Sequence, residues 1–160
     1  MAQLIQGDIA PDFKLSRDGG NQLQLSSLQG NPVVLYFYPK DDTSGCTNEA
    51  VNFSLLKGEF DKIGVTVIGI SPDSVEKHNK FKEKHKLDVI LVSDEEKNTL
   101  QDYGVWVQKS MYGRQYMGVE RTTFLIDSSG KIAAKWQKVS VPGHAEKVLE
   151  AARELCSRLS

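Results

Sequence analysis

The amino-acid sequence predicts an α/β fold in which helices flank a mixed central sheet, with a β-hairpin at the amino end. Apolar runs of strand length at 33–38, 65–70 and 89–92 alternate with segments of helical character. This alternation is typical of right-handed, parallel βαβ units. Two later strand-like segments, 122–127 and 132–136, are joined by a Ser-Ser-Gly turn and predict an antiparallel hairpin.

The first elements are a short hairpin and a central strand. Residues Phe13–Leu15 and Leu23–Leu25 alternate apolar and polar side chains, and the turn-forming run Asp18-Gly19-Gly20-Asn21 lies between them. The continuous apolar run from Val33 to Tyr38 predicts a buried central strand. Pro39 ends this strand, because proline cannot donate to a central hydrogen-bond ladder.

Helices are predicted between and after the buried strands. The first runs from Ser44 to Phe60, with Val51, Leu55 and Leu56 on one stripe. The next begins after Asp73 or Ser74, either of which can cap it, and runs toward His85. We expect a short helix over 94–100, a loop or irregular hairpin over 108–119, and a final helix from His144 to Leu159. This order corresponds to a thioredoxin-like architecture with an amino-terminal extension.

Composition restricts the class of protein. With 160 residues, 20 basic and 21 acidic side chains, the chain predicts one domain over 1–160 and carries no charge excess suited to nucleic acid. The first eight residues lack the features of a signal peptide, and no apolar run is long enough to cross a membrane. Only two cysteines occur, Cys46 and Cys156, which favours a reducing cytoplasm over a secreted disulfide framework.

A single thiol lies where the central strand gives way to a helix. The partial positive charge and free N–H groups of a helix start stabilise a thiolate, so Cys46 is predicted to be reactive. Glu49 occupies the position three residues later, which excludes a Cys-x-x-Cys dithiol. The hydroxyl of Thr43 can cap the helix or point toward the sulfur. Pro39 fixes the loop backbone and can shield the thiol from water.

The spacing Pro39-x-x-x-Thr43-x-x-Cys46 resembles the active-site signature of the peroxiredoxins. Further segments resemble the bacterioferritin comigratory protein, or Q-type, subgroup over almost the whole chain. They are Gly7–Phe13, Phe37–Asp41, Gly45–Thr47, Gly69–Ser74, Met111–Gly113 and Gly118–Asp127.

The resemblance implies a role for each matching residue. Cys46 would be the peroxidatic cysteine, whose thiolate attacks a hydroperoxide and becomes a sulfenic acid. Thr43 and nearby amides would hold the peroxide, Arg121 would stabilise the thiolate and the charge developing on the two oxygens, and Pro39 would shape the pocket. Glu49 would orient Arg121 through an ion pair. No metal or organic cofactor is implied.

The chain departs from the subgroup where a second, resolving cysteine is common. Val51 stands five residues after Cys46, and no cysteine occurs over 78–84, the other place where members carry one. Ser44 replaces a common proline. Resolution would use Cys156, another chain or an external thiol. Cys156 lies near the apolar stripe of the last helix, so a buried structural thiol is favoured over a resolving one.

These residues predict a cytoplasmic, antioxidant thiol peroxidase that reduces hydrogen peroxide and organic hydroperoxides, as a monomer or weak dimer. Its reductant would be thioredoxin, glutaredoxin or a low-molecular-weight thiol. The alternative is a peroxide-sensing relay that passes oxidation to a partner protein. His78 and His85 share a helix face, but without a third ligand they do not predict a metal site. Whether Trp106, Tyr112, Tyr116 and Met117 form core or a pocket lip is left open.

Overall fold

A computed structural model describes residues 3–158, in which a five-stranded mixed sheet has the strand order β5-β4-β3-β8-β9. The strands are β1 (Lys14–Ser16), β2 (Gln22–Gln24), β3 (Val33–Phe37), β4 (Thr66–Ser71), β5 (Ile90–Ser93), β6 (Trp106–Met111), β7 (Arg114–Val119), β8 (Thr122–Ile126) and β9 (Ile132–Trp136). The helices are α1 (Ser44–Leu55), α2 (Lys57–Lys62), α3 (Val75–His85), α4 (Asn98–Asp102) and α5 (His144–Arg158), and a short 3-10 helix spans Leu25–Leu28.

The sheet confirms the predicted α/β class and the mixed strand directions. Strand β3 lies at the centre, parallel to β4 and antiparallel to β8, and all five of its residues are buried. Strand β5 extends the parallel side and β9 the antiparallel side. The predicted amino-terminal hairpin is present as β1 and β2, whose register pairs Lys14 with Gln24 and Ser16 with Gln22.

Both faces of the sheet are covered, because successive residues of β3 point to opposite sides. Val34 and Tyr36 join a core formed with helices α1, α2, α3 and α5. Val33, Leu35 and Phe37 join a second core that includes residues of α4, the amino-terminal segment and the base of the β6–β7 hairpin. The continuous apolar run is therefore the signature of a strand buried on both faces.

The prediction of one helix from Ser44 to Phe60 is wrong, because the chain forms two helices that meet at Leu56. The backbone of Leu56 (φ −95°, ψ 0°) leaves the helical region, and its N–H contacts the carbonyls of both Asn52 and Phe53. Of the predicted stripe, Val51 and Leu56 pack against the core as expected, whereas Leu55 is 78% exposed. The face of α1 that packs on the sheet carries the buried residues Cys46, Glu49, Ala50 and Phe53.

Two further boundaries differ from the prediction. The segment 108–119 belongs to a regular hairpin, β6 and β7, whose turn residues Tyr112 and Gly113 both have positive φ. Such a turn matches the twist of paired strands, and glycine adopts it without strain. The short helix begins at Asn98 rather than Asp94, because the Asp94 carboxylate accepts the Leu100 N–H at 2.7 Å ahead of it.

The remaining helices agree with expectation. Ser74 caps α3 by accepting the N–H of Lys77 at 3.2 Å, which decides between the two proposed caps. Helix α5 runs from His144 to Arg158, and the predicted terminal residue Leu159 lies outside the described residues. Within residues 3–158, no helix combines the length and apolar character needed to cross a membrane.

Candidate active site

Strand directions bring Cys46 and Arg121 to the same end of the sheet. The last residue of β3, Phe37, pairs with the first residue of antiparallel β8, Thr122. Cys46 follows β3 in the first turn of α1, and Arg121 immediately precedes β8. The backbone carbonyl of Arg121 accepts the N–H of Val139 at 3.0 Å, which holds this segment in place.

The guanidinium of Arg121 joins the thiol to a carboxylate. Its Nη2 donates to Cys46 Sγ at 3.2 Å, and its Nη1 donates to Glu49 Oε1 at 2.6 Å. The thiol is 1% exposed, and Glu49 is equally buried. A positive group at this distance stabilises a thiolate over a neutral thiol by direct electrostatic attraction. The Glu49 contact explains why the planar guanidinium faces the sulfur rather than solvent.

Thr43 and Pro39 belong to the loop that leads into α1. Thr43 occupies the N-cap position, and its carbonyl accepts the N–H of Thr47 at 2.8 Å. Of the two alternatives for its hydroxyl, the helix cap is not formed, because the hydroxyl donates to the Lys40 carbonyl at 2.9 Å instead. Pro39 is half-buried and lies two residues after the end of the central strand. The two direct contacts at the thiol site are therefore those that join Arg121 to Cys46 and to Glu49.

Burial gives Glu49 an unusual ionisation. Loss of contact with water raises the pKa of this carboxyl to about 7, although Arg121 acts in the opposite direction through its charge and hydrogen bond. Among the described residues, neither Glu49 Oε2 nor the buried Tyr36 hydroxyl has a hydrogen-bond partner. The pKa of Tyr36 is raised well above its usual value by burial and next by the charge of Glu49.

We expect the free energy of unfolding to fall as pH rises from about 4.5 to about 7, because Glu49 then keeps a proton in the folded state that the unfolded chain has released. The full effect is at most about 3 kcal/mol. The sign follows from a folded pKa above the unfolded one, which makes ionisation unfavourable to folding. Urea titrations across this range should show the slope in the wild type and a reduced slope in Glu49→Gln. Equal slopes in both proteins would contradict the assignment.

Cys156 lies at the opposite end of the sheet from Cys46. Its sulfur is 3.5 Å from the carbonyl of Ile63, which precedes β4, and the first residue of β4 pairs with the first residue of β3. The two ends of β3 are about 13 Å apart, since each strand residue adds about 3.3 Å. A disulfide needs Cα atoms within about 7 Å, so Cys46 and Cys156 cannot pair without a large rearrangement. Both cysteines are free.

Two residues near the thiol were not found by sequence reasoning. A Cβ atom at Gly45 would lie 3.3 Å from Arg121 Nη2, so this glycine permits the close approach of the guanidinium. Lys109 of β6 is also close enough to respond to the charges of the site. The pKa of Lys109 is lowered, first by burial and next by the charge of Arg121, while the charges of Glu120 and Cys46 act in the opposite direction. Gly45 stands inside the signature, whereas no local pattern indicates the position of Lys109.

The three histidines make side-chain contacts that the sequence pattern does not indicate. His78 is buried against Asp41, and His85 contacts Asp42 on the surface, so the two do not point to a shared ligand. His144 does more than begin α5: its buried ring contacts the Thr123 hydroxyl at 2.8 Å, and burial lowers its pKa to about 4. Within residues 3–158, no three metal-ligating side chains come together.

Comparisons with known proteins relate the chain to one family. Residues 6–135 match the AhpC/TSA family. Peroxiredoxin Bcp of Bacillus subtilis is 43% identical over 152 residues, covering 95% of this chain and 97% of that protein.

Solved structures extend the comparison to the fold. The Xanthomonas campestris bacterioferritin comigratory protein, studied for its alkyl peroxide reduction activity, superposes with a TM-score of 0.86 at 42% identity, over 90% of this chain and 92% of that one. A cysteine-to-serine variant of Xylella fastidiosa PrxQ gives a TM-score of 0.91 at 37% identity, over 96% and 98% of the two chains. The fold is therefore the thioredoxin-like fold of peroxiredoxins, and the chain belongs to the AhpC/TSA family as a thiol peroxidase of the Bcp, or Q-type, peroxiredoxins.

Proposed function

We propose that the protein reduces hydrogen peroxide and organic hydroperoxides through a sulfenic acid on Cys46. The observation that carries this proposal is the position of Arg121 Nη2, 3.2 Å from the Cys46 sulfur at the start of α1. This geometry supplies a stabilised thiolate together with a fixed cation beside the place where a peroxide must bind.

The reaction begins when the Cys46 thiolate attacks the terminal oxygen of the hydroperoxide. A sulfur–oxygen bond forms, the O–O bond breaks, and the departing alkoxide or hydroxide takes up a proton to become an alcohol or water. Arg121 stabilises the negative charge as it moves from sulfur to the leaving oxygen. Thr43 and the amides near the helix start hold the peroxide, Pro39 shapes the pocket, and Glu49 fixes the orientation of Arg121.

Recovery of the thiol requires an external thiol in this proposal. Val51 occupies the place of a nearby resolving cysteine, and Cys156 lies at the other end of the sheet. A reductant thiol attacks the sulfenic sulfur, releases water and leaves a mixed disulfide, which a second thiol reduces. Thioredoxin, glutaredoxin or a low-molecular-weight thiol fits this role. Two free cysteines suit a reducing cytoplasm, where one domain acting as a monomer or weak dimer would support redox homeostasis.

We expect one equivalent of hydrogen peroxide, followed by dimedone, to label Cys46 as its sulfenic acid adduct and to leave Cys156 unmodified. Peptide mass spectrometry of the intact and digested protein measures both outcomes. A sample denatured before peroxide is added serves as a control, because unfolding removes Arg121 from the thiol. An intramolecular disulfide between the two cysteines would contradict external resolution, and an unreactive Cys46 would contradict the peroxidase itself.

A peroxide-sensing relay is a second candidate, favoured by the absence of a second sulfur near Cys46. Its sulfenic acid would persist until a partner protein arrives, rather than turn over with a general reductant. The two functions differ in multiple-turnover kinetics. Rapid consumption of many equivalents of peroxide with thioredoxin or glutathione would exclude the relay as the main role.

A further inference from the structure

A cluster of buried polar side chains lies behind the loop that leads to Cys46, and the peroxide chemistry above does not use it. Tyr38, Asp41, Asp73 and His78 are each no more than 7% exposed. The Asp41 carboxylate accepts the Tyr38 hydroxyl at 2.6 Å through Oδ1, and its Oδ2 lies 2.6 Å from His78 Nδ1. The other ring nitrogen, Nε2, is 3.0 Å from the Val92 carbonyl.

The acceptors around His78 require one proton more than a neutral imidazole and an ionised carboxylate can provide. A carbonyl only accepts, so Nε2 must carry hydrogen and donate to Val92. A neutral ring then has no hydrogen on Nδ1, and an ionised Asp41 has none on Oδ2. Two bare acceptors do not approach to 2.6 Å, so a proton lies between these atoms. His78 and Asp41 therefore hold a shared proton out of contact with water.

This pair is tied to the backbone of the active-site loop. Asp41 stands between Pro39 and Thr43, and its own N–H donates to Asp73 Oδ2 at 2.7 Å. Asp73 is in turn held by the Ser71 hydroxyl at 2.8 Å, and its carbonyl accepts the Ser93 hydroxyl at 2.6 Å. Asp41 thus anchors the loop to β4, β5 and α3 from the buried side, while Asp42 contacts Lys84 and His85 of α3 at the surface. Any movement of Asp41 would displace the residues that frame the thiol.

We propose that His78 is a positioning residue for the peroxide site, which acts through a proton shared with Asp41 to hold the Pro39–Thr43 loop in place. This proposal rests on the proposed function in one respect, that the ligand bound beside the Pro39–Thr43 loop is a peroxide. The shared proton is a property of the folded protein, whatever its substrate.

Asp41→Asn removes the shared proton and keeps the size and shape of the side chain. An asparagine amide accepts the Tyr38 hydroxyl through its oxygen and donates its N–H to a neutral His78 Nδ1, while Nε2 still donates to Val92. All the hydrogen bonds of the side chain are kept, and the extra proton is removed. His78→Phe instead fills the same space with a ring that has no donor, which leaves the Asp41 carboxylate buried and short of a partner.

Proton NMR tests the pair directly. We expect the wild type to show a slowly exchanging resonance far downfield of the other ring protons, correlated with His78. This resonance should be lost in Asp41→Asn, which should keep its fold, since hydrogen bonds that are retained cost little. His85→Phe, on the same helix, should keep the resonance. A wild type without the resonance, or an Asp41→Asn protein that retains it, would overturn the shared proton.

Single-turnover kinetics test the positioning role. In His78→Phe, the rate constant for oxidation of Cys46 by hydrogen peroxide should fall by about tenfold or more, because a displaced loop misplaces the bound peroxide. Alkylation of Cys46 by iodoacetamide, which needs the thiolate but not the peroxide pocket, should change by less than about threefold. In His85→Phe the peroxide rate should change by less than about fivefold, since an exposed ion pair contributes little and Asp42 keeps Lys84. An unchanged peroxide rate in His78→Phe would overturn the positioning role, whereas a wild type inert to peroxide would overturn the proposed function alone.

Discussion

Replacement of Cys46 by serine is expected to abolish peroxide turnover, with a loss of at least about 10⁴-fold in kcat/KM. A serine hydroxyl stays protonated at neutral pH and does not attack the O–O bond of a peroxide. The substitution is nearly isosteric, and Arg121 Nη2 can donate to the new oxygen as it does to sulfur. The fold should therefore survive, so that the loss reports on chemistry. The measurement is hydrogen peroxide consumption with thioredoxin, its reductase and NADPH, at equal concentrations of folded protein.

Cys156→Ser is the matched control, because it removes the second thiol without approaching the site. Cys156 contacts the Ile63 carbonyl in a half-buried position, which a serine hydroxyl also satisfies. We expect the variant to retain wild-type turnover. Activity in Cys46→Ser would contradict the peroxidatic role of Cys46. Normal first oxidation but blocked turnover in Cys156→Ser would show that Cys156 takes part in resolution.

The sequence was sufficient for the strand that carries the site and for the reactive thiol. Five consecutive apolar residues from Val33 to Phe37 are typical of a strand buried on both faces, and Pro39 marks its end. The helix start at Ser44 follows from the position of Thr43 and the polar loop before it. These are local signals, which act over a few residues and do not depend on the rest of the fold.

The contact between Arg121 and Cys46 joins residues that lie 75 positions apart. It exists because β8 runs antiparallel to β3 and begins where β3 ends, which no local periodicity can indicate. The resemblance to peroxiredoxins indicated Arg121 as a site residue, but its close approach to the Cys46 sulfur depends on the order and direction of the strands. For the same reason, the local sequence does not predict the contact between His78 and Asp41, which depends on how α3 packs against the sheet.

Errors in the helix boundaries have a different origin. The break at Leu56 does not involve proline, and its nearest glycine, Gly58, lies within the following helix. Packing of Phe53 and Phe60 into the same core turns the chain, and this tertiary preference overrides the helical pattern. The regular β6–β7 hairpin was obscured for another reason: its side chains are mostly exposed, so no buried face imposes alternation on the sequence.

Arg121→Gln is expected to lower kcat/KM for hydrogen peroxide by about 10²- to 10³-fold, the usual cost of losing one group that stabilises developing charge. Glutamine can still donate a hydrogen bond, but it carries no charge to stabilise the thiolate or the leaving oxygen. The kcat/KM of Arg121→Lys should lie between those of the wild type and Arg121→Gln, because a lysine retains the charge but not the planar guanidinium that contacts both Cys46 and Glu49. Stopped-flow oxidation of Cys46 measures this step without the reductant.

The stability of Arg121→Gln needs its own control, because Glu49 would be left buried without its partner. Arg153→Gln provides the comparison at an exposed arginine that pairs with Glu59 and Glu150, where we expect activity to be unchanged. The double variant Arg121→Gln with Glu49→Gln removes the unpaired carboxylate. If Arg121 acts directly on the reacting atoms, the double variant should recover stability but not rate, because Glu49 contributes only by orienting a group that is no longer present. Recovery of the peroxide rate in the double variant would instead show that the buried, unpartnered carboxyl of Glu49, rather than the missing guanidinium, had caused the loss.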